Sequence, residues 1–126
     1  AGCKGVFDVM ACHFYSTHTL PSAADGWGGW PIMRRIREVM EANGDPKPVW
    51  ITEFGVTTRG PNAATEAAQV EMLKDAMRIR PKWLKRIFWY TAQDFGAAEA
   101  NEGGFGAYRL DGSPKPVVAY MQSLNA

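Results

Sequence analysis

The stretch VWITEFG at residues 49–55 decides the fold. Together with Pro48 before it, this is a short run of β-branched and aromatic residues whose one acidic side chain, Glu53, stands near its C-terminal end. Two similar runs flank it along the chain, VFDVMAC at residues 6–12 and RIFWYT at residues 86–91. These three runs predict three short β-strands, the first of them buried on both faces.

Segments with helical periodicity follow each predicted strand. The first helix begins at Pro31 and ends at Asn43-Gly44, the second spans about residues 63–79, and the third runs from Pro114 and Pro116 to about Leu124. Apolar stripes are formed by Ile32, Ile36, Val39 and Met40 in the first helix, and by Val70, Leu73, Ala76 and Met77 in the second.

The resulting order is βαβαβα, which predicts a single α/β domain over residues 1–126 with parallel strands and right-handed crossovers. In such folds the functional groups collect at the C-terminal ends of the strands. Those ends supply His13, Tyr15 and Ser16 from the first strand, Glu53 from the second, and Trp89, Thr91, Gln93 and Asp94 from the third.

Composition excludes several classes of partner and site. The 14 basic and 13 acidic residues give a net charge of +1 without a basic run, so we expect no nucleic-acid or membrane partner. No apolar stretch approaches the ~20 residues of a membrane span. Two histidines without a third ligand at metal spacing predict no metal site and no cofactor, and the two cysteines are expected to be free thiols.

Glu53 is the candidate catalytic residue. A carboxylate ending an otherwise apolar strand must either be satisfied by neighbours or work in a cleft, because burying a bare charge is costly. The functional interpretation makes Glu53 a nucleophile, whereas the structural one pairs it with Arg59 or Arg86.

Polar and aromatic side chains near the strand ends are candidate substrate-binding residues. His13 and Tyr15 are two apart and therefore share one face of an extended chain, so they can bind a polar substrate or orient a carboxylate. Trp89, Trp27 and Trp30 are candidate platforms for the apolar face of a sugar ring. The alternative for the histidine is a satisfied core position, and for each tryptophan it is packing.

Three strings together carry a resemblance to a known group of enzymes: FDVMACHFYS at residues 7–16, VWITEFG at residues 49–55, and IFWYTAQD at residues 87–94 followed by EGGFGAYRLDGSPKP at residues 102–116. They resemble strands six, seven and eight of the (β/α)8 TIM barrel in clan A retaining glycoside hydrolases, nearest to families 39 and 5. The resemblance implies a partial barrel of three βα units with the helices outside.

By this resemblance Glu53 corresponds to the nucleophile, His13 and Tyr15 to the strand-six pair at the cleavage subsite, and Trp89 to the strand-eight aromatic beneath the sugar. One departure is Phe14, where relatives often carry proline. A second is that the acid/base carboxylate of the clan stands on strand four, which this chain lacks. Asn101-Glu102 imitates the acid/base dipeptide but lies after the third strand, and Glu102, Glu99 and Asp94 remain conceivable substitutes.

Three hypotheses follow: a retaining glycoside hydrolase acting on a β-linked carbohydrate, a carbohydrate-binding remnant without catalysis, and a fragment active only with the remaining part of a barrel. A retaining mechanism needs a nucleophile and a second carboxylic acid ~5–5.5 Å away. Unpaired strand edges and an open barrel-facing side predict a homo-oligomer or association with the remaining barrel portion. Secretion is favoured by the resemblance alone.

Overall fold

A computed structural model describes residues 2–15, 19–23, 30–61, 63–97 and 101–124. It contains one three-stranded parallel sheet with strand order β1-β2-β3, which confirms the predicted α/β partial barrel. The strands are β1 (Met10–Tyr15), β2 (Val49–Gly55) and β3 (Leu84–Trp89), and the helices are α1 (Trp30–Ala42), α2 (Glu66–Ile79) and α3 (Pro116–Ser123).

Strand β1 begins later than residues 6–12 predict. Its pairing with β2 starts at Met10 opposite Val49, and Val6 is left 76% exposed. The expectation that this strand is buried on both faces is wrong, because the described helices cover one face of the sheet and alternate residues of β1 are exposed on the other. Phe14 is buried on that covered face, whereas His13 and Tyr15 are exposed on the other.

The core lies between the covered face of the sheet and the helices. Its buried side chains are Phe14, Met33, Met40, Val49, Ile51, Phe54, Val56, Met72, Leu73, Ala76, Leu84, Ala107, Val117 and Val118. The predicted stripe of α2 is confirmed at Leu73 and Ala76, but Val39 of α1 is 58% exposed and Met33 takes the core position instead. Burying this apolar surface is the main term that stabilises the domain.

Helix α2 begins at an N-cap and is tied to the segment before α1. The Thr65 hydroxyl accepts a hydrogen bond from the Ala68 N–H, which satisfies one of the donors left free at the helix start. Asp75 accepts from the backbone N–H of Ser22 at 2.7 Å and pairs with Arg78. Burial alone would raise the pKa of Asp75, but these donors dominate and lower it below the ordinary 3.8.

The uncovered face of the sheet is partly aromatic. The rings of Trp50 and Phe88 lie 5.9 Å apart, and Phe88 is 45% exposed. Strands β1 and β3 are the outer strands of this sheet, and residues 105–110 contribute isolated bridges rather than a further strand. Within the described residues, no helix is long and apolar enough to cross a bilayer.

Candidate active site

A β-bulge places Glu53 on the uncovered face of the sheet. Val49 and Ile51 are fully buried on the covered face, and strict alternation would carry residue 53 to that same face. Instead the register of β1 against β2 shifts between Cys12 and His13, so His13 lies opposite Glu53 and Phe54 takes the buried position. A bulge re-aims the side chain that follows it. Here the carboxylate therefore leaves the core.

The Glu53 carboxylate is held through one of its two oxygens. The Tyr15 hydroxyl donates a hydrogen bond to Oε2, and Nδ1 of His13 lies 3.2 Å from the same atom. Among the described residues, none donates a hydrogen bond to Oε1. The sequence also allowed an ion pair between Glu53 and Arg59 or Arg86. The structure does not show this pair: the described side-chain hydrogen bonds of both arginines go to backbone carbonyls.

Tyr15 is fixed in its protonated, donating form. Desolvation raises the pKa of its phenol well above the ordinary 10.0, and the hydrogen bond to Glu53 and the charges of Glu53, Tyr90 and Glu102 raise it further. The phenol is therefore a neutral hydrogen-bond donor around neutral pH.

The rings of Tyr15, Tyr90 and Phe105 contact one another and form what we term the aromatic cluster. The Tyr15 ring centroid lies 5.9 Å from that of Tyr90 and 5.4 Å from that of Phe105, both in edge-to-face geometry. Gly55 makes this approach possible, because a Cβ there would lie 2.5 Å from the Tyr90 carbonyl oxygen. The final glycine of the VWITEFG stretch therefore lets the aromatic cluster close over the end of β2.

Two cations, which we term the loop clamp (Arg59 and Lys115), hold the segment that carries Phe105. Arg59 donates to the carbonyls of Phe95, Gly96 and Gly103. The Nζ of Lys115 lies 2.8 Å from Asp94 Oδ1, 2.8 Å from the Thr58 hydroxyl and 3.2 Å from the Gly104 carbonyl oxygen. The side chains of this ion pair are buried, with Lys115 1% and Asp94 5% exposed.

The same segment packs tightly on the loop after β2. An added Cβ at Gly104 would meet Thr57 Oγ1 at 2.5 Å and the Arg59 backbone nitrogen at 2.6 Å. Only glycine fits this contact without a shift of the backbone, so the loop after β3 is set against the loop after β2.

Of the three tryptophans predicted to bind substrate, the structure describes the side chain of Trp89. Trp89 packs edge-to-face on Phe54 with centroids 6.0 Å apart, and its Nε1 donates to the Phe105 carbonyl at 2.9 Å. Trp89 thus holds the backbone of Phe105, a member of the aromatic cluster, from the covered side of the sheet. Trp27 lies outside the described residues, and Trp30 is the first residue of α1 with its side chain outside that description.

The acidic side chains considered as substitutes for the acid/base differ in their surroundings. Asp94 is buried, and its Oδ1 accepts hydrogen bonds from Lys115 and from the Gly106 N–H, so it has a structural role in the loop clamp. Glu99 lies outside the described residues. Glu102 is exposed on a 3₁₀ helix, Asn101–Gly104, that precedes Phe105.

Sequence analysis missed Tyr90, Phe105 and the loop clamp. Alternation along β3 carried a signal for Tyr90, because it lies two residues after Phe88, whose ring faces Trp50 on the uncovered side. Phe105 and Lys115 gave none, since their contacts depend on how a loop of more than twenty residues folds back. No group of three or more metal-ligating side chains occurs within the described ranges.

Comparison with known proteins gives one family match and many similar folds. A family model described as "Glycosyl hydrolase catalytic core" matches residues 1–118. A β-D-glucuronidase from Dictyoglomus thermophilum is 21% identical, with a TM-score of 0.68 over 93% of this chain. A β-glucuronidase from Lactobacillus rhamnosus is 26% identical, with a TM-score of 0.62 over 94% of the chain.

A family 39 glycoside hydrolase from Bacteroides cellulosilyticus WH2 is 24% identical, with a TM-score of 0.60 over 87% of the chain. Among curated proteins none matches. The chain spans 22% of both glucuronidases and 25% of the family 39 protein, so it corresponds to about a quarter of each or less.

Proposed function

Because the chain belongs to the glycosyl hydrolase catalytic core family, we propose that it carries the nucleophile half of a retaining glycoside hydrolase active site. Glu53 is the nucleophile in this proposal, and Tyr15 and His13 hold it. The substrate is a carbohydrate with an O-glycosidic bond. The chain acts together with the rest of a (β/α)8 barrel, which supplies the acid/base.

One observation carries the proposal: Tyr15 and His13 both engage Oε2 of Glu53, and no described donor engages Oε1. A carboxylate held in this way keeps one oxygen for attack on an anomeric carbon while the other is fixed in orientation. The neighbouring phenol is a neutral donor, so it stabilises the carboxylate without cancelling its charge. The location at the C-terminal end of parallel strands is where barrel enzymes place catalytic groups.

The mechanism follows from these contacts as a double displacement. Glu53 Oε1 attacks the anomeric carbon while the bond to the leaving oxygen breaks, and a glycosyl ester forms on Glu53. Water then attacks the same carbon and releases the sugar with retained configuration. The acid that protonates the leaving oxygen and deprotonates the water contributes about 10²–10⁴-fold, so without it only substrates with acidic leaving groups should react.

Association is part of the proposal. The uncovered face presents Trp50 and Phe88, and β1 and β3 present unpaired edges within the described sheet. We expect the chain to associate with the remaining barrel portion or, in its absence, with further copies of itself. Sedimentation velocity should show species larger than a monomer, whereas a monomer with low apolar-dye binding would count against association.

The test of function uses 2,4-dinitrophenyl glycosides, whose leaving group needs no protonation. We expect the chain to release dinitrophenolate above the buffer rate, Glu53→Gln to abolish that release, and Glu71→Gln on the exposed face of α2 to leave it unchanged. Because the second step lacks its general base, release should occur as a burst of about one equivalent followed by slow turnover, and NMR of the slowly formed product should show retained configuration. Equal rates for the chain and Glu53→Gln would refute the role of Glu53, and sugar binding without release would favour a carbohydrate-binding remnant.

A further inference from the structure

A groove lies between α2, α3 and the outer strand β3, on the face of the sheet that the helices cover. Its volume is about 340 Å³, and its apolar wall is shared by these three elements: Leu73, Met77, Ile87, Trp89, Met121 and Leu124. Leu124 is 44% exposed, and Ile87 and Trp89 are half-buried. Apolar surface is therefore left uncovered directly beside a strand edge.

Strand β3 offers unpaired backbone groups next to this groove. The Tyr90 N–H, just after the strand, donates to the Phe54 carbonyl of β2 at 2.9 Å. Because alternate residues of a strand direct their backbone groups to opposite edges, the N–H and C=O groups of Ile87 and Trp89 face away from β2. Within the described residues, no backbone group bonds to them from that side. An added strand can therefore pair there.

Three cations line the groove where β3 begins: Arg80, Lys85 and Arg86. Arg80 is held in place because its Nε and Nη2 donate to the Leu84 and Lys85 carbonyls, both at 2.8 Å. Among the described residues, no carboxylate pairs with any of the three cations. We term the six apolar side chains and these three cations the basic groove.

The surrounding sequence adds to the positive charge of the basic groove. Residues 78–86 hold five basic side chains and no acidic one. One of the five, Arg78, pairs with Asp75 on α2, which leaves the others without a described acidic partner. A segment that enters the basic groove with a carboxylate would lower this repulsion between like charges, whereas a basic segment would increase it.

The edge, the groove and the cations together define what can bind. Strand addition takes its affinity from main-chain hydrogen bonds and its specificity from pockets for alternate side chains. Here those pockets are apolar. The Arg80 guanidinium carries more N–H donors than its two described bonds use, so a carboxylate beside it would accept charge-assisted hydrogen bonds.

We propose that the basic groove binds a β-strand of the remaining barrel portion, added parallel to β3. Its alternate side chains are apolar and enter the groove, and a carboxylate among its first residues faces Arg80 and Lys85. The chain spans 22% to 25% of the proteins it resembles, and closing a barrel pairs both outer strands. This inference deepens the proposed association with the remaining barrel portion, but it does not depend on Glu53.

The experiment measures binding of synthetic strands to the chain by fluorescence anisotropy. The probes are the acetylated heptapeptides EVTVTVT, KVTVTVT and TVTVTVE, each with the same uncharged dansyl group at its C-terminus. An exposed ion pair changes an affinity by roughly 1.4- to 5-fold, and exchanging the acid for a base replaces attraction by repulsion. We therefore expect EVTVTVT to bind about 2- to 25-fold more tightly than KVTVTVT, and more tightly than TVTVTVE, because only a parallel strand brings its first residue to Lys85.

Two variants and one further probe separate charge from strand pairing. Lys85→Glu should remove or invert the preference for EVTVTVT over KVTVTVT. Arg34→Glu, exposed on α1, makes the same charge change elsewhere and should leave the preference as it is. The peptide EVTPTVT lacks one backbone N–H and should bind more weakly than EVTVTVT. Raising the salt concentration should reduce the charge preference.

Four results would overturn the proposal. They are equal affinities for the acidic and basic peptides, a preference unchanged in Lys85→Glu, a proline peptide that binds as tightly as EVTVTVT, and binding of no peptide at all. Binding that appears only after the chain's own oligomer is dissociated would make a second copy the occupant and would also overturn it. None of these results touches the role of Glu53, which the dinitrophenyl glycosides test separately.

Discussion

Replacing Lys115 by methionine should destabilise the domain more than any change to an exposed lysine. The ammonium is 1% exposed, and its removal leaves the buried carboxylate of Asp94 with the Gly106 N–H as its remaining described donor. Breaking a buried ion pair from one side costs about 3–5 kcal/mol, since the other charge remains buried without its partner. The same change releases two further contacts, to Thr58 and to the Gly104 carbonyl.

Urea denaturation followed by far-UV circular dichroism measures this cost. With a slope of ~1–3 kcal/mol per M for a small domain, the loss should lower the unfolding midpoint by at least about 1 M. Lys74→Met is the matched control, because Lys74 forms an exposed pair with Glu71 on α2, and its midpoint should stay close to that of the unchanged chain.

The double variant Lys115→Met with Asp94→Asn separates the buried charge from lost packing. It should be more stable than Lys115→Met alone, since no unpaired carboxylate remains in the core. A midpoint for Lys115→Met equal to that of Lys74→Met would refute the loop clamp. Failure of the double variant to recover any stability would show that packing, and not charge, explains the loss.

Three further predictions concern the glycine contact, the phenol and acid stability. Gly104→Ala should lower the urea midpoint of unfolding, because the added Cβ would overlap the loop after β2. Gly2→Ala is the control and should leave the midpoint unchanged, because the nearest atom to its added Cβ lies 3.9 Å away. Equal midpoints for the two variants would contradict the close approach at Gly104. Tyr15→Phe should slow glycosylation of Glu53 by up to about 100-fold, because the hydrogen bond that fixes the orientation of the attacking carboxylate is lost. Pre-steady-state kinetics with a dinitrophenyl glycoside measures this rate, and an unchanged rate would contradict the role of the phenol. Asp75 has a depressed pKa in the folded state, so the stability it contributes is present above about pH 3.8 and is lost as the pH falls through the folded-state value. Asp75→Asn should therefore flatten the decline of the free energy of unfolding in that acidic range. An unchanged dependence of the free energy of unfolding on pH would count against the contacts of Asp75.

The residues near Glu53 show what sequence can predict here and what it cannot. Hydrophobic periodicity was sufficient to predict the parallel βα units, and β2 at Val49–Gly55 begins one residue after the start of the predicted run at Pro48. That His13 and Tyr15 share one face of β1 also followed, because residues two apart on a strand lie on the same side; that this face meets Glu53 did not.

The face on which an individual side chain lies depends on the register of strand pairing, which cannot be read from the sequence. Alternation from Ile51 would have buried Glu53, and the extra residue of β2, Thr52, at the register shift opposite Cys12 and His13 turns it to the open face. The sequence likewise leaves open, by one residue, which aromatic side chain at the end of β3 reaches the site. Tyr90 lies in the aromatic cluster, whereas Trp89 packs on Phe54. The contacts of Lys115 join residues 57 positions apart in the chain and arise only from tertiary packing.

Covalent capture tests the central claim most directly. The chain is incubated with a neutral 2-deoxy-2-fluoro glycoside carrying a dinitrophenyl leaving group, digested, and analysed by tandem mass spectrometry. The account predicts one glycosyl adduct on the peptide that contains Glu53, and none in Glu53→Gln. An adduct on a different carboxylate, or no adduct from a compound that calorimetry shows to bind, would contradict the assignment of Glu53 as the nucleophile.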